Sequence, residues 1–263
     1  MYLMKSGLRS QISALALNVW LEAIRDRMLH ILIGSGALLL LSSLVIGEMA
    51  IGGRGRVVQD MGLWVLGIWG LLAVIHLGSN IVRREIQQRT IYLILSRPIA
   101  RPTFLLGKFV GMSLVLLSIF CVLCAVWLAL IRLSSIPLTW EHYWALAFIF
   151  GEWILLAAVS LFFAGFTSPL LHNFFLVGVA FLGHWSNDLR LFALNADSAW
   201  LKAGLKLIYY ALPNLEALNF REAALYNKAI TPGLLLEGAT VLIGWILIFI
   251  IAANFIFAGR KLP

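Results

Sequence analysis

Few residues in this 263-residue chain have the type and spacing for chemistry, and they sit in apolar surroundings. Glu152 is the clearest. It is the sole formal charge between Tyr143 and Phe166. A carboxylate there is costly to bury and usually faces protein or a water-filled cavity. It could line a substrate path, pair across a subunit interface, or serve as a structural hydrogen-bonding group. His76 and Asn80 lie one turn apart, with Ser79 beside them. Interhelical hydrogen bonds are the favoured use of such a pair, and a polar path the sharper alternative. His184 and Asp188, at the same spacing, could cap a helix or shape a gate. Cys121 and Cys124 also lie about one turn apart. Two sulfurs suit a soft metal, but no His or third Cys is near in sequence, so packing is favoured over a metal site. No nucleophile, base and acid fall together as an intramembrane hydrolase would require. No G-x-x-x-x-G-K-[ST] occurs either, since Gly107-Lys108 is followed by Phe109.

These residues must be carried by helices in lipid. Apolar residues make up 62% of the chain and charged ones 12%, against roughly 25% charged in a soluble domain. Too little polar surface is present to face water all round. A bilayer core of roughly 30 Å needs about 20 apolar helical residues. Six stretches qualify: 28–48, 61–82, 104–131, 143–166, 169–187 and 233–258. Backbone groups in lipid must bond within the segment, so the spans should be helices, and the period-2 alternation of a membrane barrel is absent. The expectation is an all-α polytopic protein of one membrane domain, residues 1–263, with six transmembrane helices. No cleavable signal peptide is evident, so the first span reads as a retained helix. Gly107 and Gly111 should let another helix approach the third span closely.

Basic residues set the orientation. With the N-terminus inside, the inner segments hold Lys5, Arg9, Arg25, Arg27, Arg83, Arg84, Arg89, Arg97, Arg101, Lys108, Arg260 and Lys261, against Glu22, Asp26 and Glu85. The outer segments are balanced in charge. Both termini should therefore face the cytoplasm, with the protein in the inner (plasma) membrane. Trp127, Trp140, Tyr143, Trp144, Trp185 and Trp200 then fall near the outer interface, as an aromatic belt would. The net charge of +8 reflects this loop bias rather than nucleic-acid binding.

Three segments do not span. Residues 10–26 read as an amphipathic helix on the inner face, favoured over a simple extension of the first span. Within 188–232, Trp200, Leu201, Leu205, Ile208, Tyr209 and Leu212 form one apolar helical face, and Pro213 should end that helix. Residues 83–103 form the longest inner loop, with Ile86, Ile91, Leu93, Ile94 and Leu95 too apolar for a free loop. A half-buried helix there should dock on a soluble partner; the alternative is a surface helix held by anionic membrane lipid.

The string Glu85-x4-Thr90-x4-Leu95-Ser96-x-Pro98-x2-Arg101-x2-Phe104-x2-Gly107-Lys108 resembles the type-2 ABC transporter permeases. The outer stretch Leu212 to Arg221 is similar to that family's segment before its last helix. The nearest likeness is to the subgroup associated with multi-copper-enzyme maturation and nitrous-oxide-reductase assembly. The resemblance implies a cytoplasmic coupling helix at about 85–97, between the second and third spans, driven by a separately encoded ATPase. Arg84, Glu85, Thr90, Leu95, Ser96, Pro98 and Arg101 would transmit its motion. ATP and Mg would be bound by that partner and no cofactor by this chain. The resemblance also implies a second permease copy, as a homodimer. The expected function is a permease subunit for export or transmembrane movement of an unidentified substrate, not itself an enzyme. Glu152, Asn80 and His76 are candidates for the substrate path. The alternative is a non-transporting membrane scaffold of an assembly complex.

Overall fold

The computed structural model describes residues 8–87 and 100–259, and all its regular elements there are helices. Helix α1 (Leu8–Ile24) precedes α2 (Arg27–Met49), α3 (Arg54–Gln87), α4 (Arg101–Leu133), α5 (Trp140–Ala164) and α6 (Pro169–His184). Then come α7 (Ser186–Asn195), α8 (Ala199–Ala211), a 3-10 turn (Glu216–Leu218), α9 (Arg221–Tyr226) and α10 (Pro232–Gly259). Helices α2, α3, α4, α5 and α10 are long and apolar enough to cross a membrane. Helix α6 is apolar but has 16 residues, about 24 Å of rise. The protein is thus a multi-pass all-α membrane protein, as the hydropathy pattern implies. The fifth span stops at His184 rather than 187, and the second extends to Arg54–Gln87.

Local chemistry fixes the boundaries. Asp26 caps α2 by accepting a hydrogen bond from the Met28 amide at 2.9 Å. Pro102 and Pro169 sit in the first turns of α4 and α6, where a missing N–H costs nothing. Leu212, forced extended by Pro213, ends α8. Helix α1 is therefore separate from α2 and does not extend it. It crosses α4 where a Cβ at Gly107 or Gly111 would come within 2.7 Å of Leu15 or Val19. The two glycines are the close-approach surface that their spacing suggested.

The bundle has two ends. One, the terminal end, carries α1, the last turn of α10 and the ends of α3 and α4 that flank residues 88–99. The far end carries 50–53, 134–139 and 185–231. The core is built on α3, whose glycines receive large side chains from neighbours. Trp153 of α5 is fully buried over Gly70, and its indole N–H donates to Leu66 O at 3.1 Å. Trp69 of α3 does the same to α2, lying over Gly36 and donating to Leu32 O at 2.7 Å. In both cases the carbonyl lies one turn before the glycine, where no Cβ shields it. Trp127 packs over Gly62 and is fully buried. It is a core residue and not part of an aromatic belt, because that glycine notch takes it in. Trp140, Tyr143, Trp144, Trp185 and Trp200 remain exposed at the far end.

Candidate functional site

Among the described residues, α3 contributes to three polar clusters within this apolar bundle. At the terminal end, Asp26 reaches α3 from the α1–α2 turn. Its carboxylate is 2.8 Å from His76 Nε2 and accepts a longer bond from Asn80 Nδ2 at 3.4 Å. Asn80 is also 3.2 Å from His76 Nε2. Burial alone would raise the Asp26 carboxyl, but its hydrogen bonds to His76 and the Met28 amide hold it below the ordinary carboxylate range. A cavity of about 100 Å³ opens beside it, lined by Glu22, Asp26, Asn80 and Lys108. His76 and Asn80 do make hydrogen bonds between segments, but their partner is this turn, 50 and 54 residues away.

The second cluster joins α3, α5 and α6. His172 is fully buried, with Nε2 3.0 Å from Ser160 Oγ and Nδ1 3.1 Å from Asn173 Oδ1. Ser79 donates to the same Asn173 oxygen at 2.6 Å. Gly78 leaves room for the imidazole. Of these four residues only Ser79 stands out in the sequence.

The third cluster lies toward the far end. Glu152, 6% exposed, has Oε1 3.5 Å from His184 Nε2. The other imidazole nitrogen of His184 faces Ala180 O at 3.0 Å. His184 therefore turns to Glu152 and not to Asp188, because α6 ends there and Asp188 belongs to α7. Arg221, at the start of α9, lays its guanidinium against Gly67 of α3 and acts electrostatically on Glu152. These groups share a cavity of about 270 Å³ whose other walls include Trp64, Leu71 and Phe181.

Arg221 is held there by the segment before it. The Leu215 amide donates to Gly183 O at 3.0 Å, and Leu215 and Leu218 are buried. Ala217 O lies 3.0 Å from where a Cβ of Gly238 would stand, so α10 also closes on this segment. Asn214 caps the turn by accepting from the Ala217 amide at 3.2 Å and from the Ser186 hydroxyl. This stretch thus becomes a plug seated among α3, α5, α6 and α10.

Five helices of spanning length, the shorter apolar α6, a separate N-terminal helix and a helical segment before α10 fit the expected topology. The family model of the ABC-2 family transporter protein matches residues 13–262. The chain belongs to that family. No curated protein matches it. As an ABC-2 protein it is a membrane component of an ABC transporter, and not itself the catalytic part. Arg84 and Glu85 fall in the last turn of α3, whereas Thr90, Leu95, Ser96 and Pro98 lie outside the described residues. Arg101 opens α4, and its guanidinium donates to Phe257 O of α10 at 3.3 Å. Glu152 does not share a cluster with His76 and Asn80. Cys121 is exposed and Cys124 half-buried on α4, and no group of three His, Cys, Asp or Glu comes together among the described residues.

Proposed function

We propose that this ABC-2 protein is the permease of an exporter, in which a separate ATPase pushes on the segment after α3. The observation that carries this is the continuity of α3. It is one 34-residue helix from Arg54 to Gln87, about 50 Å long. Its end bears Arg84 and Glu85, and along its length it touches all three polar clusters. A push at residues 85–97 would act through this rod on the Asp26 latch and on the plug at Gly67. ATP binding by the partner would then bias two packings of the spans, which is how a ligand shifts a conformational equilibrium. Glu152, His76 and Asn80 would face the translocation path, Glu152 at the far-end cavity and the other two at the terminal end.

In this reading the terminal end is cytoplasmic, with both termini inside the plasma membrane. Two permease copies pair, and ATP and Mg are bound on the ATPase. The likeness of the 85–108 string and of residues 212–221 supports the copper-enzyme maturation subgroup.

The test is reconstitution with the cognate ATPase. The permease should stimulate ATP turnover. Glu85→Ala, Thr90→Ala and Arg101→Ala should lose that stimulation while the complex still co-purifies. A scaffold would assemble without stimulating turnover. In cells, with Cys121 and Cys124 replaced by Ser, a Tyr92→Cys thiol should react only with a permeant reagent. Labelling by an impermeant reagent from outside would overturn the proposal.

A further inference from the structure

We infer that the far-end cavity binds the oxyanion head of a membrane-dissolved amphiphile, with Arg221 as its anchor. This rests on the permease reading, because it names the class of molecule that the path would accept there.

A guanidinium carries five N–H donors in a planar fork. The backbone amide of Arg221 is used, donating to Asn219 Oδ1 at 3.3 Å. Among the described residues its guanidinium makes no hydrogen bond and no ion pair. The carboxylates within electrostatic reach are already engaged. Glu152 is at ion-pair distance from His184. Glu216 accepts from Asn219 Nδ2 at 3.2 and 3.3 Å. The half-buried fork therefore borders the cavity with no protein acceptor on its donors. Phosphates and carboxylates match this fork with two parallel bonds.

The walls say what must be attached to the oxyanion. Apart from Glu152, His184 and Arg221, the lining is apolar. Trp64, Val177 and Phe181 are 52%, 44% and 54% exposed on the bundle's flank. In a membrane that flank meets lipid tails, so the cavity is open sideways to an alkyl chain as well as to a head group. Gly67 is the residue that permits this, since any side chain there would displace the guanidinium. The recognised chemistry is an oxyanion, and the lateral apolar walls assign it to an amphiphile rather than to a free ion.

Binding can be read without any ATPase, so its failure would leave the permease reading standing, and loss of ATPase coupling would not abolish it. The probe is an alkyl phosphate brominated near its head, titrated into the full chain in neutral detergent. Saturable quenching of tryptophan fluorescence is expected, and Trp64→Phe should remove much of it. Arg221→Gln should raise the half-saturation roughly ten- to a hundredfold. Arg221→Lys, which keeps the charge but not the fork, should bind more weakly than the native protein and more tightly than Arg221→Gln, which guards against misfolding of the Gln variant. A brominated alkyl ammonium of the same length should not saturate. Quenching that is unsaturable and equal in the native protein and Arg221→Gln would overturn the site. Displacement by inorganic phosphate as effective as by unbrominated alkyl phosphate would overturn the amphiphile.

Discussion

Gly70→Ala should destabilise this bundle by about 2 kcal/mol, although alanine is the better helix former. The new methyl would stand well inside contact distance of Trp153 Nε1 and Cδ1. Trp153 cannot step aside. It is fully buried, packed edge-on against Phe120 at 5.2 Å, and tied to Leu66 O at 3.1 Å. Overpacking a filled core costs about 1–3 kcal/mol. Losing the indole bond adds about 0.5–1.5 kcal/mol. The helix-propensity gain of about 1 kcal/mol offsets part of this. The balance is a roughly 30-fold loss in the folding equilibrium. Gly244 and Gly178 supply the control, because a Cβ at either meets nothing within 4 Å. Gly244→Ala and Gly178→Ala should be neutral or gain up to about 1 kcal/mol. Reversible unfolding in mixed micelles, followed by helical circular dichroism, measures all three. Trp153→Phe should recover part of the loss in the Gly70→Ala background, so that the double change costs less than the sum of the two single changes. If Gly70→Ala proves as stable as Gly244→Ala, the glycine notch is not what holds Trp153, and the account of the α3–α5 contact fails.

The other clusters give further expectations. Asp26 binds its proton less readily folded than unfolded, so its contribution is complete at neutral pH and is lost as pH falls through the carboxylate range. The melting temperatures of the native protein and Asp26→Asn should therefore converge toward acid pH; a gap that widens below pH 4 would contradict the latch. Gly111→Leu would drive a branched side chain into Ala16 and Val19, costing about 1–3 kcal/mol. Limited proteolysis should then cut α1 faster while α2 to α10 stay protected. Glu152→Gln removes the carboxyl facing His184 but keeps the shape. It should change substrate-dependent ATP turnover in the reconstituted complex without changing co-purification, and unchanged transport would take Glu152 out of the path.

What the sequence made legible was what hydropathy and local grammar encode. The spans follow from uncharged runs, the α8 end from Pro213, and the close approach of some helix to α4 from two glycines four residues apart. Their partners were not legible, because each tie joins residues far apart in the chain. Asp26 binds His76 across 50 residues, and Ser79 binds Asn173 across 94. A polar residue in lipid announces that it needs a partner, but not which one. Trp127 shows the opposite error. Its position near the end of an apolar run suits an interface residue, and only the notch at Gly62 makes it core. Arg221 was hidden for a third reason. In a loop of mixed charge it looks like an ordinary solvated base, and its use depends on Leu215 and Leu218 anchoring the chain so that the guanidinium is carried inward. The groups that set the chemistry of a membrane cavity can thus arrive from segments that hydropathy assigns to water. For this protein, Arg221 is the residue whose replacement should tell most about the cargo.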